Sequence, residues 1–258
     1  MNYLRLYFNF LKNCFRRELL YRFNFIVSMF TVVLGYLSNI LFYYFIYDTG
    51  VESICGWGKY EVFILLATVW IVDSIFGGMF FFNLIRIPMK VKNYDLDAIL
   101  LKPVDTIFIL TLRQFNFGLF AGTFFGILFL FYSVSMGGFS IGILNIILYI
   151  MLILCAVSLL FSILFMMVTF SLRFVRIQGL IQIFWTLMDI GKQPYAIYPM
   201  AIKLCFIFLV PAIVIYNFPL GVLIDNNYLT VVIALVMSLL FWRIAVVNFR
   251  KSIKYYYN

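Results

Sequence analysis

The side chains of this sequence that could take part in chemistry or recognition are few, and two of them, Asp95 and Asp97, stand in one polar loop. The loop 93–105 reads Asn-Tyr-Asp-Leu-Asp-Ala-Ile-Leu-Leu-Lys-Pro-Val-Asp. The chain contains no histidine, which removes the usual general base and histidine-ligated metals. Its four cysteines form no C-x-x-C pair. The sequence therefore predicts no catalytic site and no metal site on this chain.

The spacing within the loop 93–105 predicts about two turns of helix. Asn93 or Asp95 could cap the start of this helix, and Pro103 ends it because proline lacks an N–H group. The helix would suit a cleft on a soluble partner, although a loop helix without a partner has the same spacing. Three apolar residues share one face at i, i+3 and i+4: Leu96, Ile99 and Leu100.

Composition identifies the elements that must position these residues as membrane-spanning helices. Of the 258 residues, 66% are hydrophobic and 11% are charged, and the mean hydropathy is +1.08. A soluble domain holds about 45–50% apolar and about 25% charged residues. So much apolar surface cannot be hidden in one soluble core of this size, which predicts an all-α polytopic membrane protein with a single membrane domain, 1–258.

Six stretches are long and apolar enough to be helices that cross a bilayer. Residues 1–24, which precede the first of them, have the pattern of a basic amphipathic helix lying in the membrane interface. The fourth stretch exceeds the roughly 20 residues that a span needs, so we expect it to tilt or to project into water. The predicted spans are 25–47, 62–82, 107–133, 141–170, 174–190 and 228–248.

The distribution of basic residues predicts the topology. With the N-terminus inside, only Lys59, Lys192 and Lys203 of the 19 Lys and Arg residues lie outside. The others sit in short clusters beside apolar runs, including Arg173 and Arg176 after the fourth span. This arrangement is typical of cytoplasmic loops and not of a nucleic-acid-binding surface. We therefore expect both termini in the cytoplasm and no nucleic acid as a partner.

The segment 194–223 breaks the pattern of spans. Cytoplasmic termini require an even number of crossings, which the six stretches already supply. We predict that 194–223 is a re-entrant, proline-kinked helical pair that enters from the outer face; the alternative is a seventh span at 204–223. Irregular backbone at membrane depth must be buried in protein or line a cavity, so we expect an internal or subunit interface. The prolines are Pro194, Pro199, Pro211 and Pro219.

Asp73 lies near the middle of the second predicted span, and acids at such a depth are costly and often functional. Asp73, Arg113 and Asn116 are candidate residues of a translocation path. Asp73 could instead form a structural ion pair, with Arg113 as its candidate partner. Asp189, close to Lys192, is interpreted as the outer end of the fifth span. An intramembrane aspartyl protease is disfavoured because Asp73 and Asp189 lack Gly-Asp motifs.

The Leu-Asp-x-x-Leu-Leu-x-Pro core within Asp95–Val104 resembles the ABC-2-type permeases, and more closely their subgroup of small six-span bacterial permeases. The six-span plan, the interfacial N-terminal helix and the segment Pro194-Tyr-Ala-Ile-Tyr-Pro199 are also similar to that subgroup. The resemblance thus covers nearly the whole chain. This chain departs from many relatives at Asn93 and Tyr94, one of which is Gly in those proteins.

The resemblance implies a membrane-spanning permease subunit of an ATP-binding-cassette transporter in a bacterial cytoplasmic membrane. It implies that two permeases, identical or paralogous, pair with two cytosolic ATPase subunits, which contact a coupling helix in the loop 93–105. It also implies that the re-entrant segment, with its four prolines, gates exit on the outer side. The contact residues that the motif carries over are Asp95, Leu96, Asp97, Leu100, Leu101 and Pro103.

No G-x-x-x-x-G-K-[ST] motif occurs, because Lys59 and Lys192 follow glycines but precede neither Ser nor Thr. We expect no enzymatic activity and no cofactor on this chain, with ATP and Mg on the partner ATPase. The outer loops are too small to hold a substrate-binding domain, and an apolar lateral route in contact with membrane lipid would suit a hydrophobic or amphipathic cargo; the resemblance implies that this cargo is exported. An ATP-independent channel or ion-coupled transporter using Asp73 is the alternative, and a membrane scaffold or immunity protein is a third. The residues leave open the cargo, the direction, and whether the permeases form a homodimer or a heterodimer.

Overall fold

Long apolar helices form the body of the computed structural model, which describes residues 3–170 and 178–256. Five helices in this part of the chain have the length and composition of a membrane span. They confirm the prediction of an all-α, multi-pass membrane protein. In chain order the helices are α1 Tyr3–Leu20, α2 Arg22–Asp48, α3 Lys59–Phe76, α4 Phe82–Leu84, α5 Ile87–Lys92, α6 Asp95–Leu100, α7 Thr106–Leu112, α8 Phe117–Gly137, α9 Ile143–Thr169, α10 Gln178–Gly191, α11 Met200–Phe208, α12 Ala212–Tyr216, α13 Phe218–Ile224 and α14 Leu229–Tyr256.

Helix α3 is the central helix of the bundle. A π-helical turn, Gly77–Phe81, joins it to α4 and α5, so one apolar helical path of 34 residues runs from Lys59 to Lys92. Of its most apolar 18-residue stretch, 83% is buried, because α8 and α9 pack against it. A helix that is apolar on all faces is expected in such a position. In contrast, no residue in the corresponding stretch of α2 is buried.

Helices α2, α3 and α8 approach one another closely at Gly122. A Cβ atom at Gly122 would overlap Ser74 Oγ on α3 and the Tyr36 hydroxyl on α2. Tyr36 also stacks on Trp70, with ring centroids 4.3 Å apart. Small residues at helix crossings allow such close approach in membrane proteins. Gly122 therefore fixes the spacing of three helices at one level of the bundle.

The third predicted span, 107–133, is interrupted at residues 113–116, between α7 and α8. Asn83 explains how the chain tolerates this break. Its side-chain amide donates to the Gln114 carbonyl at 2.6 Å, and its Oδ1 accepts from the Gln114 N–H at 2.9 Å. One buried side chain thus replaces two backbone hydrogen bonds. The long helix that follows the break is α8, which continues four residues beyond the predicted end at 133.

The segment between α10 and α14 consists of short helices. Helix α10 covers the described part of the predicted span 174–190, and its 14 residues rise about 21 Å. The first residues of that predicted span, 174–177, lie outside the described part of the chain, and so does Arg173 just before them. The predicted helical pair at 194–223 is instead a 3₁₀ turn followed by three helices. None exceeds the nine residues of α11, so 204–223 is not one continuous helix.

Prolines account for this subdivision. Pro211 directly precedes α12, and Pro219 occupies the first turn of α13, where its missing N–H is tolerated. All five residues of α12 are buried, whereas α11 has no buried residue. The short helices therefore enter the core at α12, and α11 lies on the surface of the protomer.

Candidate functional site

Four polar side chains meet inside the bundle, and we call them the charge cluster: Asp73, Asp189, Lys192 and Tyr216. Lys192 Nζ lies 3.0 Å from Asp73 Oδ2 and 2.9 Å from Asp189 Oδ1. The Tyr216 hydroxyl donates to Asp73 Oδ1 at 2.6 Å. The side chains of Asp73 and Lys192 are only 21% and 22% exposed, whereas that of Asp189 is 63% exposed. The cluster ties α3 to the end of α10 and to α12.

The end of α10 is shaped to deliver Lys192 to this position. Gly191 lies against the backbone of Ala212, and a Cβ atom would have no room there. Buried Asn217 donates its amide to the Gly191 carbonyl at 2.7 Å and accepts from the Tyr195 N–H at 3.1 Å. Asn217 thereby satisfies backbone groups that the end of a helix leaves without partners. Lys192 then extends over the ring of Trp185, with Nζ 5.1 Å from its centroid.

A cavity of about 240 Å³ opens beside Asp73. Half of its eight lining residues are aromatic, and Tyr36 and Ser74 form a hydrogen bond of 2.8 Å at its edge. The aromatic members of the lining are Tyr36, Phe81, Phe82 and Trp185. The cavity thus combines one acidic side chain with a largely apolar wall, which is the composition of a site for an amphipathic group.

The structure contradicts the pairing of Asp73 with Arg113. Arg113 is exposed at the break before α8, while Asp73 forms its ion pair with Lys192. The backbone N–H of Asn116 donates to the Gly78 carbonyl in the π-helical turn at 3.0 Å, which joins the start of α8 to the helical path that carries Asp73. The sequence predicts Lys192 on the outer side of the membrane and does not predict its ion pair with Asp73. The available indication was that Lys192 and Asp73 are both isolated charges in apolar surroundings.

The second candidate region is α6, which begins differently from the prediction. Neither Asn93 nor Asp95 caps it; Tyr94 precedes the helix, with φ of 60° and no side-chain capping bond. This left-handed conformation favours glycine and is uncommon for a residue with a bulky side chain such as Tyr94. Asp95 and Asp97 lie in the first turn, where acids are stabilised by the positive end of the helix dipole.

The apolar face of α6 points into its own chain. Leu96 is 0% exposed and Ile99 is 5% exposed, packed between α5 and α7. Leu96, one of the predicted contact residues, is therefore covered by its own chain, and Leu100 is half-buried. The opposite side, which we call the α6 surface, consists of exposed residues: Tyr94, Asp95, Asp97, Leu101 and Pro103. Leu101, at 87%, is more exposed than any other large hydrophobic side chain in the described ranges.

A family model described as "ABC-2 family transporter protein" matches residues 33–258. The chain belongs to this family. The matched region contains the charge cluster and the α6 surface, so both are parts of an ABC-2-type permease. A comparison with curated proteins and with solved structures gives no match.

Proposed function

We propose that this ABC-2 permease is the membrane subunit of an exporter that binds a cytosolic ATPase through the α6 surface. The observation that carries the proposal is the two-sided character of α6. Leu96 and Ile99 anchor the helix in the core, while Leu101 projects outward near Asp97. A rigidly held apolar side chain with acids around it is a suitable anchor for a cleft in a partner protein.

The connectivity supports a route from the α6 surface to the charge cluster. Helix α6 packs on α5, and α5 belongs to the helical path Lys59–Lys92 that carries Asp73. A force on α6 would therefore act on the helix that holds one half of the ion pair. The π-helical turn lies between α5 and Asp73, and such turns are frequent at functional sites. We propose that this movement reaches the segment with Pro194, Pro199, Pro211 and Pro219 through Lys192 and Tyr216, and so opens an exit gate.

A second permease copy or paralogue would complete the transporter. Helices α2 and α11 leave apolar surface uncovered along the protomer, which a partner in the membrane could cover. A path between two permeases, reached from the bilayer, suits a hydrophobic or amphipathic cargo. The clustering of basic residues supports an orientation in the bacterial cytoplasmic membrane with both termini in the cytoplasm.

The test is co-purification with a P-loop ATPase, together with ATP-driven transport in vesicles. The double variant D97A/L101A should weaken ATPase binding roughly tenfold, because truncating an interface anchor costs more than about 1 kcal/mol. Leu20→Ala is the matched control, since Leu20 is 81% exposed on α1. Unchanged ATP coupling in D97A/L101A would exclude docking at the α6 surface.

One observation favours a second candidate, an ATP-independent channel or ion-coupled transporter. Asp73 borders the cavity of about 240 Å³, so its carboxylate could exchange an ion or a proton with it. Transport that persists without ATP and is abolished by Asp73→Asn would support this function. The pairing of Asp73 with Lys192 favours the exporter, because a paired carboxylate is not available as a carrier site.

A further inference from the structure

A groove of about 760 Å³ runs along the exposed surface of α14, next to the C-terminal end of α9. The two helices run parallel, since Phe161 contacts Trp242 and Phe165 contacts Phe249 farther along both helices. The groove therefore lies toward the same end of the bundle as the C-terminus. Its walls are apolar and come from both helices: Met166, Phe170, Leu239, Leu240, Ile244 and Val247.

Among the described residues, two cations line the groove, and neither α9 nor α14 contains an acid to pair with them. Arg243 and Lys251 lie on one face of α14, two turns apart, at a rise of about 12 Å. Within residues 3–170 and 178–256, no ion pair involves either side chain. The sequence has no Asp or Glu between Asp105 and Asp189 and none after Asp225. The charge in the groove is thus complementary to an anion from outside these helices.

The depth of the two cations indicates what kind of anion fits. Arg243 lies about 21 Å along α14 from Leu229, and Lys251 about 33 Å, at 1.5 Å per residue. With Leu229 taken as the edge of a hydrocarbon core about 30 Å thick, an upright α14 would hold Arg243 in the last third of that core and Lys251 at the headgroup level. An unpaired arginine at that depth is costly unless it reaches the interface or an anion. A ligand with a phosphate at one end and an apolar body satisfies both residues and the walls.

We propose that this groove binds an anionic glycerophospholipid from the leaflet at the C-terminal end of the bundle. Its phosphate lies between Arg243 and Lys251, next to the Asn248 amide. Its acyl chains lie against Leu239, Leu240 and the other apolar wall residues. Basic pockets between membrane helices are known to recognise anionic headgroups in this way. The site is independent of the α6 surface and of any ATPase.

Quenching of Trp242 by brominated lipids tests the proposal. Trp242 is 43% exposed and directly precedes the groove residue Arg243 in α14. Trp57, Trp70 and Trp185 are replaced by Phe in every protein compared, so the fluorescence reports on lipid beside Trp242. The full chain is reconstituted in phosphatidylcholine vesicles that contain either brominated phosphatidylglycerol or brominated phosphatidylcholine. Brominated phosphatidylglycerol should quench more strongly at equal mole fraction. R243Q/K251Q should lower its relative association constant roughly thirtyfold, since each of the two cations contributes about 1 kcal/mol.

Two matched variants separate the groove from general surface charge. R250Q/K254Q removes the same charge from the same helix outside the groove, and should keep the preference for phosphatidylglycerol. R243K/K251R retains both charges and should keep it too. Equal loss in R243Q/K251Q and R250Q/K254Q, or loss in R243K/K251R, would overturn the proposal. Excess inorganic phosphate should not lower the quenching by brominated phosphatidylglycerol to the level seen with brominated phosphatidylcholine. Displacement of the phosphatidylglycerol by free phosphate would contradict a lipid ligand.

Discussion

Removal of Lys192 tests the charge cluster, because Lys192 is the ammonium group that both Asp73 and Asp189 contact. Lys192→Met keeps an unbranched side chain of similar length over Trp185, so the apolar packing is largely preserved. The variant leaves two carboxylates without a cation, one of them four-fifths buried. Tyr216 still donates to Asp73, but a hydroxyl compensates a buried negative charge only in part.

The expected loss of stability follows from the exposure of each partner. Breaking a buried ion pair by removing one member costs about 3–5 kcal/mol. Because Asp73 and Lys192 are each about one-fifth exposed, we expect the lower end, about 3 kcal/mol. Asp189 is 63% exposed, so Asp189→Asn should cost at most about 1 kcal/mol. The two variants therefore share an ion-pair network but differ about threefold in predicted effect.

Thermal unfolding in one detergent measures the difference. A loss of about 3 kcal/mol corresponds to a decrease in Tm of roughly 6–12 °C for a chain of this size. The double variant D73N/K192M should be less destabilised than the sum of the single variants by about 2 kcal/mol, because the residues interact directly. A decrease for Lys192→Met no larger than that for Asp189→Asn would refute the reasoning. Strict additivity in the double variant would refute it as well.

Two further predictions concern packing and topology. Gly122→Ala should cost about 1–3 kcal/mol in unfolding free energy because its Cβ overlaps Ser74 and Tyr36, whereas Gly35→Ala, with nothing within 4 Å, should be neutral in the same assay; equal effects would show that the helices do not approach as described. The topology can be tested with a membrane-impermeant maleimide applied to intact spheroplasts of a Cys205→Ser variant, which lacks the second exposed cysteine. The reagent should label exposed Cys55 and not buried Cys14. Labelling of Cys14 at the rate of Cys55 would contradict both the burial of Cys14 and the proposed orientation.

Sequence reasoning located the long helices because their apolar residues leave few other structures possible. The stretches 25–47 and 141–170 largely coincide with α2 and α9, and the final span 228–248 lies almost entirely within the longer α14. The break at 113–116 was not predicted, because hydropathy there gives no sign that Asn83 supplies the missing hydrogen bonds. Local composition describes a helix, whereas a distant side chain decides whether the helix can be interrupted.

The two candidate regions show the same distinction. The spacing of Leu96 and Ile99 correctly indicated one apolar face, but spacing cannot reveal whether that face meets its own chain or a partner. The partner of Asp73 was harder to predict, because Lys192 is 119 positions away and follows a segment whose path depends on Gly191 and Asn217. In the sequence, Lys192 near the predicted outer end of the fifth span indicates only topology, and its neighbours there do not identify it as the counter-ion of Asp73.

The central claim, ATPase docking on the α6 surface, is tested most directly by a photo-crosslinking amino acid placed at Leu101 in native membranes. The account predicts a crosslink, mapped by mass spectrometry, to a protein with a G-x-x-x-x-G-K-[ST] motif. The same probe at Val51, which is exposed in the loop before α3, should give none. Crosslinks from position 101 only to lipid, or equal capture of the ATPase from position 51, would contradict it.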